Sequence, residues 1–342
     1  MFRLYSKSLV LALLLIAVLF SGCSRHVKIS TGFENGLYYP TGKELAKLLK
    51  KEGFYFVSVS TSSGSVQNIE DVANEKATFA LVQSDMQYQK YKGLIPRVSK
   101  GNPSLRIAFD PSKNAEGKHI RSLFSLYPES ITLVARKKSK ISHIRHLTGR
   151  RVNIGQALAG YHYNARDVLN AYAYTKHDLT LTEEHLDASI EAFKEERMDA
   201  FFYTVGHPNE AFRASLGNEN PYTIIPIKGR DIDALLKQHH FYTKSLIPGQ
   251  YYPNNPAPIE TISVLTTVIT SKLVDESLAY AMTKAMVEQL EDFKKTNPVY
   301  ANITRESLLK GLTAPLHPGA YKYYVEAGMK ELIPARLLPN ND

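Results

Sequence analysis

The sequence predicts an α/β fold made of two lobes with a cleft between them. Its 342 residues exceed the usual size of one domain, so two domains are the natural expectation. Hydrophobic residues make up 44% and charged residues 22%, which is the composition of an ordinary folded protein. Short apolar runs alternate with stretches of helical period, as in parallel sheets covered by helices. Each lobe is therefore expected to hold a mostly parallel sheet with flanking helices.

The first series of elements opens the predicted first lobe. Leu45, Leu48 and Leu49 recur with helical spacing, whereas the segment around Phe56 alternates apolar and polar residues as a strand does. The predicted strands are Val27–Thr31, Phe54–Ser60, Thr78–Val82 and Leu105–Phe109. The predicted helices between them are Tyr39–Glu52, Ser65–Asn74 and Asp85–Tyr91.

A second series follows and ends in long elements. Its predicted strands are Ser130–Arg136, Arg151–Ile154, Leu179–Leu181, Asp199–Thr204 and Tyr222–Ile227. Its predicted helices are Ser142–Leu147, Tyr163–Tyr174, Leu186–Glu195, Pro208–Leu216 and Asp231–Gln238. The proline-rich segment Tyr242–Pro258 is predicted to be a connector without regular structure. A long strand at Ile262–Ser271, a long helix at Asp275–Lys295 and short helices are expected to finish the chain.

The start of the chain predicts export. Arg3 and Lys7 precede the apolar run Leu9–Phe20, which is shorter than the ~20 residues of a membrane-spanning helix. Ser21 and Gly22 lead to Cys23, an arrangement that resembles the bacterial lipobox, in which the cysteine is acylated. We therefore expect residues 1–22 to be a signal peptide and Cys23 to anchor the chain in membrane lipid. The alternative is an ordinary secretory signal followed by an incidental cysteine.

Charge and cysteine content exclude several classes of function. The formal net charge is +9, but the lysines are scattered and no basic run is interleaved with aromatic residues, so nucleic acid is not an expected partner. With one cysteine the chain forms no internal disulfide and no multi-cysteine metal site. No cofactor motif is present, and the glycines at 36 and 42 do not have the spacing of a phosphate-binding loop.

Small polar residues follow the first three predicted strands. Ligands of open α/β sheets bind at the carboxyl ends of the strands, where the chain enters the next helix. Free N–H groups at such helix starts attract anions such as carboxylates. The alternative for each loop is a plain strand-to-helix turn, with Asp85 as an N-cap. The loops in question are Ser30–Glu44, Thr61–Asn68 and Val82–Asp85.

Several segments together resemble the TAXI-type solute receptors of TRAP transporters, a family similar to type II periplasmic binding proteins. They occur in order over roughly residues 27–325 and coincide with the α/β series. The segments are Ile29–Gly32, Gly36–Pro40, Ser63-Gly-Ser-Val-Gln-Asn68, Phe79-Ala-Leu-Val-Gln-Ser-Asp85, Leu123-Phe-Ser-Leu-Tyr-Pro-Glu129, Leu147–Gly155, Asp199–Pro208 and Leu316-His-Pro-Gly-Ala320.

This resemblance implies a receptor rather than an enzyme. Such receptors are two-lobed, capture a small organic anion or amino acid-like solute by closure of the lobes, and deliver it to TRAP permease membrane subunits. The lobes implied are residues 23–127 plus 259–342, and residues 128–258. We expect a monomer on the periplasmic or cell-surface side of a bacterial membrane. The alternatives are a ligand-sensing lipoprotein that serves a signalling partner and, less favoured, an enzyme built on the same fold.

The resemblance also implies which residues contact the solute. In the first lobe these are Thr31, Gly32, Gly36, Tyr38, Ser63, Gly64, Ser65, Gln83, Ser84 and Asp85. The remaining contacts implied are Tyr127, Gly155, Gln156, Tyr161, Tyr203 and Gly206. One segment departs from the family, because Gln156–Tyr163 replaces a turn of the Gly-Ser-Gly-Thr kind. We therefore expect a solute that differs from, or extends beyond, a simple dicarboxylate.

Overall fold

The computed structural model describes residues 26–54, 56–94, 117–157, 159–217 and 221–339. The predicted signal peptide, Cys23 and the predicted strand Leu105–Phe109 lie outside these ranges. The described strands are β1 Val27–Ser30, β2 Val57–Ser60, β3 Phe79–Gln83, β4 Ile120–Arg136, β5 Arg151–Asn153, β6 Thr180–Thr182, β7 Ala200–Val205, β8 Tyr222–Ile225, β9 Thr243–Ile247 and β10 Ile259–Ser271.

Helices flank the sheet along the whole described chain. They are α1 Tyr38–Lys51, α2 Ser65–Ala73, α3 Ser84–Tyr91, α4 Gly160–Ala171, α5 Leu186–Lys194, α6 Glu210–Leu216, α7 Arg230–Gln238, α8 Glu276–Glu288, α9 Leu290–Lys294 and α10 Pro318–Glu326. Short 3₁₀ turns occupy Lys137–Ser139, Ile144–Leu147, Pro298–Tyr300, Ser307–Leu309, Lys330–Leu332 and Ala335–Leu337. Within the described ranges, no helix combines the length and the apolar character needed to cross a bilayer.

The strands form one mixed sheet in the order β2-β1-β3-β10-β4-β7-β5-β6, with β8 paired to β4 and β9 paired to β10. The outer strands are parallel, since β1 pairs in parallel with β2 and β3, and β5 with β6 and β7. The two long strands β4 and β10 run antiparallel to each other and to their other neighbours. The predicted α/β class is confirmed, with parallel outer strands joined by antiparallel central ones.

The long strands β4 and β10 cross the molecule and divide it into two lobes. The part of β10 at Thr266–Thr270 pairs with β3, whereas Ile259–Ser263 pairs with β9. In β4, Ser130–Ala135 pairs with β7 after the preceding residues have paired with β10. We call β1–β3 with α1–α3 and α8–α10 the first lobe, and β5–β9 with α4–α7 the second lobe.

Two apolar clusters support the facing sides of the lobes. In the second lobe, Val152, Val168 and Phe202 belong to a buried cluster beneath α4 and α7. In the first lobe, Val66 and Met86 belong to a cluster beneath α2 and α3. Tyr163 of α4 is a member of this first-lobe cluster, so a second-lobe helix packs on the first lobe.

Most of the predicted elements are confirmed, and the differences occur where polar residues interrupt a pattern. β4 begins at Ile120 rather than Ser130. Polar residues and a proline interrupt the apolar pattern by which a buried strand is recognised in a sequence. The predicted connector contains β9, an exposed edge strand without alternation. The predicted helix Asp275–Lys295 is divided at Gln289, whose backbone leaves the helical region at φ −105° and ψ 19°.

Candidate functional site

A cavity of about 60 Å³ lies between the two lobes. The first lobe lines it with Gly32, Phe33, Gly36, Leu37 and Tyr38 from the loop after β1, and with Ser63, Gly64, Ser65 and Gln83. The second lobe contributes Ala159, Gly160, Tyr161, Tyr203, Thr204 and Val205. Glu129 lines the cavity from the crossing strand β4.

Two helices from opposite lobes begin at this cavity. α2 begins at Ser65 after the cap residue Gly64, and α4 begins at Gly160 after Ala159. Neither cap residue supplies a side-chain hydrogen bond to the first turn. The first N–H groups of a helix have no partner within the helix, and the helix dipole makes this end positive. The cavity therefore combines two sites that favour negatively charged oxygen atoms.

Glu129 is the acidic group of the cavity. Its Oε1 accepts hydrogen bonds from the hydroxyl groups of Tyr38 at 2.7 Å and Thr266 at 2.6 Å, and its Oε2 accepts one from Gln83 Nε2 at 3.3 Å. Burial raises the pKa of Glu129 to about 7, although these three donors oppose the shift. No lysine, arginine or histidine is among the described residues that line the cavity. Its charge is therefore set by one carboxyl group.

Three further polar atoms at the cavity have no hydrogen-bond partner among the described residues. They are Gln83 Oε1, the Tyr161 hydroxyl oxygen and Thr204 Oγ1, and all three are buried. Most buried polar groups of a folded protein are hydrogen-bonded, so a concentration of unpartnered groups at one cavity is unusual. These atoms supply an acceptor and two hydroxyl groups to a bound molecule.

The lobes are in contact around the cavity. Gln156 Nε2 of the second lobe donates a hydrogen bond of 2.9 Å to the carbonyl oxygen of Ser63. The ring of Tyr88 on α3 lies 5.5 Å, centroid to centroid, from that of Phe241 in the second lobe. A Cβ atom added to Gly160 would come within 1.7 Å of Gln83 Oε1, so α4 approaches the first lobe as closely as its backbone allows. The structure therefore represents closed lobes.

The cavity brings together many of the residues that the sequence predicts as solute contacts. From the first lobe these are Gly32, Gly36, Tyr38, Ser63, Gly64, Ser65 and Gln83, and from the second Tyr161 and Tyr203. The other predicted contacts do not line it, and these are Thr31, Ser84, Asp85, Tyr127, Gly155, Gln156 and Gly206. That any of them contacts a solute stays a prediction.

The predicted first-lobe residues outside the lining hold structure together. Thr31 Oγ1 donates to the carbonyl oxygen of Ser60 at 2.7 Å and thereby joins the ends of β1 and β2. Ser84 Oγ accepts the backbone N–H of Leu265 at 3.1 Å, next to the β3–β10 pairing. Asp85 points away from the cavity lining and accepts a hydrogen bond of 2.7 Å from Asn164 of the second lobe.

Tyr127 and the glycines at 155 and 206 shape the surroundings. Gly155 has a φ of +85°, and a Cβ atom there would lie 1.9 Å from the Tyr161 ring, so glycine is what allows this ring to sit over the turn. At Gly206 a Cβ atom would lie 2.7 Å from Val299 and 3.0 Å from the Tyr127 ring. Tyr127 itself packs on Tyr300, with ring centroids 5.5 Å apart.

Seven described residues that line the cavity are not among the predicted contacts, and these are Phe33, Leu37, Glu129, Ala159, Gly160, Thr204 and Val205. Glu129 ends one of the segments of the resemblance, but its strand was expected to begin one residue later, at Ser130. The available signal was a single acid within residues 122–135, which hold no other charged residue, because buried strands seldom carry an unpaired carboxylate. Gly160 was missed because α4 starts three residues before the expected Tyr163. Within the described ranges, no group of three or more His, Cys, Asp and Glu side chains is arranged to hold a metal ion.

Comparison with solved structures finds distant likeness over most of the chain. A Xanthomonas citri protein bound to ATP shares 9% identity and a TM-score of 0.48, over 90% of this chain and 97% of that one. The amino acid ABC transporter substrate-binding protein AbpA of Streptococcus pneumoniae, bound to L-arginine, shares 14% identity and a TM-score of 0.45, over 79% and 91%. At TM-scores below 0.5 these likenesses carry no argument about what this chain binds.

Comparison with family models gives a match that spans both lobes and every element that lines the cavity. The matching model describes the NMT1-like family and covers residues 29–328, which is most of the chain. The chain therefore belongs to the NMT1-like family.

Proposed function

We propose that this chain is an extracytoplasmic receptor that captures a small amino acid-like solute between its lobes and does not transform it. The observation that carries the proposal is the cavity itself, where two helix N-termini from opposite lobes meet a buried carboxyl group. A solute with both a carboxylate and a protonated amine fits these two kinds of group.

The carboxylate of such a solute belongs at the helix starts. The N–H groups of the first turns of α2 and α4 are donors without side-chain caps, and Ser65 adds a hydroxyl group. Backbone donors that are already oriented bind an anion without reorganisation. Because one helix comes from each lobe, a carboxylate held by both would favour the closed arrangement.

The amine belongs at Glu129. An ionised Glu129 needs a nearby positive charge, since burial disfavours its charged form and no basic side chain lines the cavity in the described chain. A solute ammonium group supplies this charge, and Gln83 Oε1 is an acceptor beside it. A simple dicarboxylate lacks the amine and would add negative charge next to Glu129. The solute class expected from the sequence, a small organic anion or an amino acid-like solute, is thereby narrowed to an amino acid.

The closed cavity limits the size of the solute. The cavity volume is only about 60 Å³, against about 150 Å³ for an engineered cavity that binds benzene. Glycine and alanine, the smallest amino acids, are therefore the ones that fit with least adjustment. Larger amino acids would require the second-lobe cover, Tyr161 and Tyr203, to move outward.

Binding by closure follows from the distribution of these groups. An open form offers the first-lobe donors and Glu129, and closure then adds the start of α4 and the two tyrosines. A ligand that contacts both lobes stabilises the closed state by the contacts made only there. A membrane partner that recognises the closed shape would take up only loaded receptors.

The wider assignment rests on the resemblance and on the start of the sequence. We propose export by the signal peptide at residues 1–22, a lipid anchor at Cys23, and delivery of the solute to TRAP permease subunits by a monomeric receptor. The lobe boundaries proposed are those of residues 23–127 plus 259–342, and residues 128–258. Strands β4 and β10 cross between the lobes near these boundaries, which supports the division.

The test is a thermal-shift comparison of solutes that differ only at the amine. Glycine and alanine are compared with glycolate, lactate and pyruvate at equal concentrations. A ligand at 100 times its Kd stabilises the folded state by about 2.7 kcal/mol, which raises the Tm by several degrees. We expect the amino acids to raise the Tm and the hydroxy and keto acids to leave it unchanged.

Variants locate the effect in the cavity. Glu129→Gln keeps the shape but removes the charge, so the preference for alanine over lactate should disappear. Ser65→Ala and Gln83→Ala should each weaken binding, whereas Asp233→Asn on an exposed part of α7 should leave it unchanged. A lactate shift as large as that of alanine in the unmodified chain would refute the amine assignment. Full affinity in both alanine variants would refute the site.

A further inference from the structure

Behind the cavity, a buried group of polar side chains joins the two lobes. Asp85 lies on α3 of the first lobe, and Asn164 and Asp167 lie on α4 of the second. Asn164 Nδ2 donates to Asp85 Oδ2 at 2.7 Å and to the hydroxyl oxygen of Tyr242 at 3.1 Å. Tyr242 in turn donates to Asp167 Oδ2 at 2.8 Å. Of these contacts, the Asp85–Asn164 hydrogen bond is the one that crosses between lobes.

The donors and acceptors of this group do not balance. Both Nδ2 hydrogens of Asn164 and the hydroxyl hydrogen of Tyr242 are used in the hydrogen bonds described. Asp85 Oδ1 and Asn164 Oδ1 are buried and have no partner among the described residues. Asp85 and Asn164 are joined by a hydrogen bond, and each keeps one acceptor oxygen without a donor. One additional hydrogen between these two oxygen atoms would satisfy both. A proton on Asp85 Oδ1 supplies it, because a carboxylic acid and a primary amide pair through two hydrogen bonds.

The charges around Asp85 act in the same direction. Burial of its side chain, with the negative charges of Asp167 and Glu129, raises the pKa of Asp85 to about 8, against hydrogen bonds from the Met86 backbone and Asn164. Arg166 and His239 lie near Asp167, the neighbouring acid of the second lobe, and oppose the increase of its pKa that burial causes. Tyr242, which donates a hydrogen bond to Asp167, is the other titratable residue of this group. The closed form therefore favours a neutral Asp85 near neutral pH.

We propose that Asp85 and Asn164 form a proton-dependent latch, which holds the lobes closed while the Asp85 carboxyl group is protonated. The latch rests on the lobe closure of the proposed function but not on the identity of the solute. When the lobes separate, Asp85 loses Asn164 and its burial, while Tyr242 and Asp167 stay together in the second lobe.

The direction of the pH effect follows from this difference. In the open form the pKa of Asp85 returns toward the ordinary value of about 4, so closure takes up a proton between that value and about 8. The latch is fully effective at acidic pH and is lost as the pH rises through about 8. Glu129 also gains a raised pKa on burial, but only to about 7. Between pH 7 and pH 9, Glu129 therefore contributes at most about a twofold change in the ratio of closed to open molecules, whereas Asp85 contributes about a tenfold one.

The test measures closure directly, without solute. Nitroxide labels on Lys50→Cys and Lys176→Cys, at exposed positions of α1 and of the turn after α4, report the distance between lobes by pulsed electron paramagnetic resonance. Cys23→Ser keeps other thiols out of the labelled chain. For a pKa of about 8, the ratio of closed to open molecules should fall about tenfold between pH 7 and pH 9.

Two variants and a second measurement decide the outcome. Asp85→Asn imitates the protonated acid, so its ratio should fall by no more than the roughly twofold change that Glu129 contributes, whereas the ratio of the control Asp233→Asn should fall about tenfold or more, like that of the parent. Infrared difference spectra at pH 7 should show the C=O band of a protonated carboxyl group that Asp85→Asn lacks. A parent ratio that does not change, an Asp85→Asn ratio that falls equally, or no such band would overturn the latch. Amino acid binding that persists in any of these cases would leave the proposed function standing.

Discussion

The two lobes contribute opposite kinds of surface to the same cavity. At the start of α2 the first lobe presents Ser63, Gly64 and Ser65, which are small residues with accessible backbone and hydroxyl donors. At the start of α4 the second lobe presents Gly160 and Tyr161, a glycine and an aromatic ring, in contrast to the two serines at the start of α2. The comparison indicates that the first lobe supplies polar groups to the cavity, whereas the second lobe covers them with an aromatic surface.

The second-lobe cover is packed as a rigid unit. The Tyr161 ring lies against Gly155 and meets the Tyr203 ring edge to face, with centroids 5.3 Å apart and an angle of 72°. Burial raises the pKa of Tyr161 to about 12, so its hydroxyl group remains neutral. His162, the next residue, is directed away and pairs with the Gly155 carbonyl oxygen at 2.9 Å. Under the proposed function, we expect this surface to exclude water and to select solutes by size.

The largest effect is expected where the cover meets the polar lobe, at Gly160. Gly160→Val places a Cβ atom within 1.7 Å of Gln83 Oε1 and 2.6 Å of Gln83 Cδ, so the lobes close only if the buried Gln83 side chain moves. Overpacking of this kind costs about 1–3 kcal/mol, which corresponds to a roughly 5- to 150-fold loss of affinity. Isothermal titration with alanine as the probe measures the loss.

A matched control separates closure from helix stability. Ala211→Val makes a similar enlargement in the exposed first turn of α6, away from the cavity, and should leave affinity unchanged. If Gly160→Val bound alanine as tightly as the parent chain, the close approach of α4 to Gln83 would not be part of the bound state.

A smaller effect is expected from the hydroxyl group of the cover. The Tyr161 hydroxyl has no hydrogen-bond partner among the described residues, so Tyr161→Phe removes no bond from the closed protein. The free energy of unfolding without solute should therefore change by less than about 0.5 kcal/mol. If a solute uses this hydroxyl, its affinity should fall roughly 2- to 13-fold, as expected for one hydrogen bond of about 0.5–1.5 kcal/mol. Unfolding by urea and titration with alanine measure the two quantities on the same samples, and an unchanged affinity would exclude Tyr161 as a polar contact.

The contrast between the lobes also explains what the sequence could and could not predict. In the first lobe, the carboxyl ends of parallel neighbours lie at one edge of the sheet, so Ser63 and Gln83 could be placed together from local pattern alone. Glu129 could not, because it lies on a crossing strand whose pairing with β10 joins positions about 135 residues apart. No local pattern reports such a neighbour.

Asp85 shows a second limit of local pattern. It comes two residues after Gln83, yet it lies on the first turn of α3, where the side chain turns from the cavity toward α4. The resemblance implies a solute contact at Asp85, which stays a prediction, and the structure adds a hydrogen-bond partner in the other lobe that the sequence did not indicate. The departure at Gln156–Tyr163 places Tyr161 in the lining of the cavity, whereas the expectation that the solute differs from a simple dicarboxylate stays a prediction.

The smallest effect is expected at the rim of the cavity, by which we mean the hydrogen bond between Gln156 of the second lobe and Ser63 of the first. Gln156→Ala removes the 2.9 Å hydrogen bond to the Ser63 carbonyl oxygen and leaves every side chain that lines the cavity in place. Since both partners are only partly buried, water replaces much of the lost bond, and we expect a loss of about 0.5 kcal/mol, or roughly twofold in affinity for alanine. Titration of Gln156→Glu completes the comparison. A carboxylate cannot donate a hydrogen bond to the Ser63 carbonyl oxygen, so this variant should bind alanine no more tightly than Gln156→Ala does. A loss as large as that of Gly160→Val would mean that the rim, rather than the packing of α4 on Gln83, controls closure.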